Sequence, residues 1–248
     1  MDAIGIEQIK NKERPPEVLS FTIRRDEFCR KLGGGLPRGS ITLLEGEDGT
    51  GKSLISQRIL YGLLENGFTV TYISTDLSTK DFIQQMQSLN YDIVKYLLNK
   101  QLLFIPVFPI TKKLRSKPKN LIERMMSAPH LFENQVIIID CLTVMLENGK
   151  MDGETKFKFS NFLKKLTGID KTLLITLIPG STAEDVHQFL TSLCDNILVL
   201  KSKILGTDLK NYITVIKWKR TKGEVNKIIG FKVEPNIGFV LDISSFAG

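Results

Sequence analysis

Short apolar runs alternate along the chain with longer stretches whose apolar residues recur three and four positions apart. The runs Ser40 to Glu45, Thr69 to Ser74, Leu102 to Val107, Gln135 to Asp140 and Leu173 to Ile178 have the length and composition of buried strands. Between them the spacing predicts helices over 52–65, 79–90, 119–127, 155–166 and 183–192. Strands apolar on both faces, separated by helices, describe a mostly parallel central sheet flanked by helices, an α/β class. After Asn196 the pattern changes. Asn196 to Lys201, Tyr212 to Arg220, Glu224 to Glu234 and Gly238 to Asp242 read as successive strands, with Thr221-Lys222-Gly223 closing a hairpin between the second and third. An antiparallel C-terminal extension at one sheet edge is therefore expected. Residues 1–16 are polar, end in Pro15-Pro16 and read as an N-terminal extension; 17–248 fit a single domain.

The first strand and first helix are joined by Gly46-Glu47-Asp48-Gly49-Thr50-Gly51-Lys52-Ser53, a complete G-x-x-x-x-G-K-[ST] phosphate-binding loop, followed by Leu54. Glycines at 46, 49 and 51 let the backbone wrap an anion at distances a Cβ would obstruct. The helix that follows aims its N-terminal N–H groups and positive dipole end at the same anion. Lys52 adds a charge for the outer phosphates, and the Ser53 hydroxyl suits Mg²⁺. A nucleoside triphosphate is the expected ligand. Its cation wants further oxygen ligands, and Val136-Ile137-Ile138-Ile139-Asp140 offers one, an apolar strand ending in a carboxylate. This is the Walker B pattern, although an aspartate in such a place also caps turns. Cys141 follows it, so a second adjacent acid is absent.

Other residues carry two readings each. Thr176, near the end of its strand, either senses a γ-phosphate or packs within the sheet. On the strand Tyr212 to Arg220, strict alternation places Lys217 and Lys219 with Ile213 and Val215, and Ile216, Trp218 and Arg220 on the opposite face. The lysine pair is either solvated or reaches a γ-phosphate held by a neighbouring subunit. Asp76, closing Tyr72-Ile73-Ser74-Thr75-Asp76, is a helix N-cap or the acid that faces an attacking water.

Composition adds little against this picture. Apolar residues at 42% and charged residues at 25% are ordinary for a soluble globular chain. No apolar run reaches the roughly 18 residues of a membrane span, and no secretory signal is visible. The three cysteines, Cys29, Cys141 and Cys194, lack metal spacing, and a reduced cytoplasmic setting is expected. Net charge is +7, a balance that suits nucleic acid, anionic lipid or an acidic partner. The clearest basic cluster, Lys112 to Lys119, has no interleaved aromatics for base stacking and reads equally as a solvated loop.

The assembled pieces resemble the RecA/KaiC-like P-loop ATPases. The carrying stretches are Leu32-Gly33-Gly34-Gly35-Leu36-Pro37-Arg38-Gly39-Ser40, the phosphate loop, Val136 to Asp140 and Lys217-Trp218-Lys219. Arg25-Asp26-Glu27, Glu45 to Ser53, and Tyr72 to Asp76 with Thr79-Lys80-Asp81-Phe82 are similar to the single-domain accessory ATP-binding proteins of the archaellum, the archaeal flagellum. The resemblance implies a RecA-like fold and ATP bound with Mg²⁺. It also implies association with the archaellum motor ATPase and other cytoplasmic archaellum components at the membrane face, and a homo-oligomer such as a hexameric ring. RecA-like ATPases commonly present a glutamate where this chain has Asp76, one methylene shorter, so hydrolysis is expected to be slow or absent. Two other classes stay open. A DNA-dependent ATPase is disfavoured by the acids Glu147, Asp152 and Glu154 after the metal strand. An autokinase would need an acceptor hydroxyl, and no residue singles itself out.

Overall fold

A computed structural model describes residues 17–107, 121–147, 151–205, 208–234 and 236–242. The expected extension 1–16 and the basic cluster Lys112 to Lys119 lie outside the described residues. The described chain opens with a strap: β1 (Val18–Leu19) and β2 (Leu36–Pro37) pair antiparallel, with the short helix α1 (Phe28–Lys31) between them. The main elements follow as β3 (Ile41–Glu45), α2 (Lys52–Glu65), β4 (Val70–Ser74), α3 (Thr79–Ser88), α4 (Val94–Leu98), β5 (Leu102–Pro106) and α5 (Leu121–Met126). Then come β6 (Val136–Asp140), α6 (Leu142–Glu147), α7 (Gly153–Gly168), β7 (Thr172–Leu177) and α8 (Glu184–Leu193). The strands β8 (Asn196–Leu205), β9 (Asp208–Lys217), β10 (Ile228–Glu234) and β11 (Gly238–Leu241) complete the set.

The long strands form one nine-stranded sheet in the order β11-β10-β9-β8-β3-β7-β6-β4-β5. From β8 to β5 all pairings are parallel, and β8 to β11 are antiparallel neighbours, as the change of pattern at Asn196 predicts. All residues of β3, β4, β6 and β7 are buried because helices cover both faces. One core holds α2, α3, α4, the strap and side chains of β9 to β11. The other holds α5 to α8. Local chemistry sets the helix ends: the Ser78 hydroxyl accepts from Asp81 N to start α3, and Asp152 accepts from Thr155 N to start α7. Helix α2 stops at Asn66 and Gly67, the latter at φ 84°.

Strand β9 differs from its expected form. It ends at Lys217, and its register on β8 jumps from Val215↔Leu198 to Lys217↔Ile197, so Ile216 is an extra, bulged residue. The extra residue reverses the alternation. Ile213, Val215 and Trp218 meet the same core, Ile216 is exposed, and Lys217 turns away to donate to Cys194 O at 2.5 Å. The predicted grouping of Lys217 with Ile213 and Val215 is thus corrected. Glu224-Val225 also lies outside β10: Val225 bridges Leu32 instead, tying the long β9–β10 connection to the strap.

The strap is locked to α2 by a buried ion pair. Arg58 Nε and Nη2 donate to Asp26 at 2.8 and 2.7 Å, and Nη1 donates to Phe21 O at 3.1 Å. The two side chains are 0% and 3% exposed. At the same crossing a Cβ on Gly62 would stand 2.1 Å from Phe21 O, so only glycine admits the strap there. Removing one partner leaves a buried charge uncompensated. Asp26→Ala is expected to lower unfolding stability by about 3–5 kcal/mol in denaturant titration; a loss below about 1 kcal/mol would show the pair to be dispensable.

Candidate functional site

The β3–α2 turn is built around glycines at positive φ. Gly49 lies at 81° and Gly51 at 96°, and Gly51 is the residue from which α2 departs. A Cβ on Gly46 would meet Thr50 Oγ1 at 2.5 Å, so the first glycine is required for closure. The turn is held by Thr50 N and Oγ1, both donating to Glu47 O at 3.3 and 2.7 Å, and by Gly46 N donating to Leu177 O at 3.3 Å. No side chain caps α2. Its first N–H groups therefore face the loop interior with the dipole end behind them, an arrangement matched to an anion. Lys52 is buried and folds back over the loop, donating to Glu47 O at 2.8 Å with the exposed Asp48 carboxylate at 3.4 Å. Glu45, just before the loop, turns to the other face of the sheet, where His187 Nε2 lies 2.7 Å from it.

Asp140 sits two strands away at the carboxyl end of β6, 4% exposed. Its Oδ2 accepts from the Tyr72 hydroxyl at 2.6 Å and its Oδ1 from the Thr176 hydroxyl at 2.7 Å. Thr176, fully buried, is thus brought to the Walker B carboxylate. Tyr72 reaches it diagonally, since the register pairs Tyr72 with Ile138 and Ser74 with Asp140. Its hydroxyl also meets Ser56 Oγ at 2.9 Å, and Ser56 in turn donates to Ser53 O at 3.0 Å. Burial, with the Asp140 charge beside it, pushes the Tyr72 phenol well above its usual range, so it remains a donor. The backbone beyond Asp140 is pinned by Thr75: Thr75 N donates to Asp140 O at 2.8 Å and Cys141 N to Thr75 Oγ1 at 2.9 Å.

Ser53 and Asp140 are hard oxygen donors of the kind Mg²⁺ takes, usually together with phosphate oxygens and waters. Among the described residues no group of three or more His, Cys, Asp or Glu side chains is arranged to hold a metal by itself. The donor set fits a cation that arrives with a nucleotide. It does not fit a resident structural metal. Two of the Asp140 carboxylate's four or so acceptor positions are used, which leaves room for metal-bound waters.

On the other side of the loop a cleft of about 570 Å³ is lined by Gly46 to Thr50, Pro179, Val199 to Ser202, Leu209 and Tyr212. Its walls, mixed polar and apolar with Tyr212 as the aromatic side chain, continue from the phosphate cradle. Strands β8 and β9 supply it. Sequence reading missed this cleft, and with it Tyr72 and Ser56; a hydroxyl midway along an apolar strand and another in an apolar helix were the available signals.

Asp76 is exposed just beyond β4. Ser78, not Asp76, caps α3, so the capping reading is removed. Partial burial, then the Asp140 and Asp48 charges, raise the Asp76 carboxyl above its ordinary value, while Lys52 opposes this; the four groups share one electrostatic neighbourhood. Lys217 and Lys219 do not join it. Lys219 meets Asp195 at 3.6 Å, and Asp195 accepts from Ile41 N, at the amino end of β3. The loop leaves the carboxyl end, roughly 13 Å away at the rise of a strand. Within one chain the lysine pair and the phosphate cradle are at opposite ends of the sheet.

A raised carboxyl in the folded state favours the protonated native form, so its contribution weakens as pH rises through the folded value. Asp76→Asn is accordingly expected to raise the melting temperature in nucleotide-free protein at neutral pH. The gain should shrink as pH falls and vanish below the ordinary aspartate value of 3.8. Melting curves across pH check this; a pH-independent or opposite effect would contradict it.

Comparison with known proteins fits this geometry. The family model for KaiC-type ATPases matches residues 22–242. The archaeal flagellar ATP-binding protein FlaH of Methanocaldococcus jannaschii is 35% identical over 231 residues, covering 93% of this chain and 98% of that one. Its counterpart in Methanococcus voltae is 34% identical, covering 93% and 100%. The crystal structure of the M. jannaschii flagellar accessory protein superposes with a TM-score of 0.85 over 92% of this chain and all of that chain. The fold alone is shared with a KaiC-like protein of Pyrococcus horikoshii, at TM-score 0.68 and 21% identity. With a RecA-like sheet, a complete phosphate cradle and this likeness along nearly its whole length, the chain belongs to the KaiC-like ATPase family, in the branch of the archaeal flagellar FlaH proteins.

Proposed function

We propose that the chain is the ATP-binding regulatory component of an archaellum motor complex, and that ATP with Mg²⁺ switches its assembly with the motor ATPase. The observation that carries the reading is the uncapped start of α2, reached through positive-φ glycines and overlain by buried Lys52. Gly46 to Ser53 and Leu54 hold the phosphates, Ser53 and Asp140 serve the cation, and the cleft along β8 and β9 takes the base. A bound triphosphate neutralises the loop's dipole end and gives Lys52 a better partner than the Glu47 carbonyl. Thr176, bonded to Asp140, reports through that carboxylate whether the last phosphate is present. The relatives' names, flagellar and ATP-binding, support the setting.

Hydrolysis in this reading is slow or absent. Asp76 shares the electrostatic neighbourhood of Asp140, and it is short by a methylene compared with glutamate. Misplacement by about 1 Å costs on the order of a hundredfold in rate. The far placement of Lys217 and Lys219 supports a contact in trans, in which one copy's lysines reach the γ-phosphate held by the next, as in a ring. The protein then works at the cytoplasmic face of the membrane through its partners. Among the described residues no helix is long and apolar enough to cross one.

Purified protein with Mg·ATP is expected to bind nucleotide and gain particle mass while turning over below about 1 s⁻¹. Lys52→Ala should abolish binding and weaken nucleotide-dependent association with the motor ATPase, whereas Lys217→Ala with Lys219→Ala should keep binding and lose the mass increase. Mass photometry with a phosphate-release assay checks all of these. Association of Lys52→Ala that equals wild type would contradict the switch.

A further inference from the structure

The chain from Ser53 to Asp140 runs through two hydroxyls that neither the phosphate loop nor the Walker B strand contains. Ser56 lies one turn into α2 and donates to Ser53 O at 3.0 Å while meeting the Tyr72 oxygen at 2.9 Å. Tyr72 has one proton to give, and it goes to Asp140 Oδ2 at 2.6 Å. The Ser56 hydroxyl, which also has a single proton, then faces two acceptors, the Tyr72 oxygen and Ser53 O, and ties the phenol to α2 through a forked hydrogen bond. The ring of Tyr72 is fully buried and fixed by Phe82 and Phe104, with centroids at 5.1 and 6.1 Å. A ring wedged in this way cannot move its hydroxyl without disturbing the core beneath α2. The Thr176 hydroxyl holds the other oxygen at 2.7 Å, so the plane of the carboxylate is set from two strands.

We propose that Tyr72 is a positioning residue for the nucleotide's cation: braced by Ser56, its hydroxyl fixes the separation and orientation of Asp140 relative to Ser53. The inference rests on the reading of the site as one for Mg·ATP, and deepens it. The two groups that serve the cation come from different elements, a helix and a strand two places away in the sheet. Backbone hydrogen bonds within each element leave their mutual distance unset, and the Ser56–Tyr72 bridge spans the gap. Partners that orient a ligand of a metal commonly matter about 10- to 100-fold for its affinity. Because Asp140 keeps its remaining acceptor positions for the cation's waters, the lower end of that range applies.

The test measures equilibrium binding of a fluorescent ATP analogue in EDTA and then titrates Mg²⁺, for wild type, Tyr72→Phe and Ser56→Ala. Tyr72→Phe keeps the ring and its packing. It is expected to bind the analogue in EDTA within about twofold of wild type, yet to need about tenfold more Mg²⁺ for half-saturation. Ser56→Ala should shift the Mg²⁺ requirement in the same direction by less. Merely loosened packing would weaken the EDTA and Mg²⁺ arms together. An unchanged Mg²⁺ requirement in Tyr72→Phe, or a loss shared equally by both arms, overturns the proposal and leaves the nucleotide site standing. Should Tyr72→Phe fail to fold, Ser56→Ala decides alone by the same criterion. Wild type that binds no analogue, or binds it with no response to Mg²⁺, defeats the underlying reading itself.

Discussion

The structure depends on how the chain gets from β3 into α2. Six residues must turn a buried strand into a helix whose first N–H groups point at one spot and find no protein acceptor there. That turn requires left-handed backbone at Gly49 and Gly51 and no side chain at Gly46, where Thr50 closes the loop. A helix start left uncapped forgoes about 1 kcal/mol relative to a good cap. The remainder of the fold offsets this by fixing α2 firmly: its residues pack in a core with the strap, and Arg58 grips Asp26 with both side chains out of water. The cradle is ready because the helix behind it cannot move.

A second consequence concerns the sheet. The order β8-β3-β7-β6 places β7 between the loop strand and the Walker B strand, so Thr176 on β7 lies between the two chemistries. Tyr72, from β4 on the far side, completes the grip on Asp140. The site is thereby assembled from four separate elements whose spacing is set by packed side chains as well as by strand pairing. The antiparallel extension β8 to β11 has a different role. It widens the sheet beside the loop and supplies the cleft walls, and it carries Lys217 and Lys219 to the opposite end of the molecule.

What sequence made legible, and what it hid, follows from locality. The phosphate loop is contiguous and each of its residue types answers a local demand, so its geometry could be read directly. Buried parallel strands declare themselves as apolar runs, and the observed strands β3, β4, β5, β6 and β7 match their expected ranges to within a residue or so at each end. In Tyr212 to Arg220 the adjacent apolar pair Val215-Ile216 is the one local hint of the bulge, and the extra residue is located only by counting against Leu198 and Ile197. Tyr72 and Ser56 are sixteen positions apart and Asp140 is sixty-eight from Tyr72. Their meeting depends on the β4–β6 register and on the depth at which α2 packs, neither of which one sequence states. The cleft beside the loop is hidden for the same reason, being shared between two strands of the extension.

The most direct test compares ATP with adenosine by isothermal titration calorimetry in the presence of Mg²⁺. If the helix start, the glycine turn and Lys52 carry recognition, affinity resides in the phosphates, and adenosine should bind at least about a thousandfold more weakly, a difference of about 4 kcal/mol. Equal binding of the two would mean that the cradle near residue 50 is not what holds the ligand, and the account would fail at its foundation.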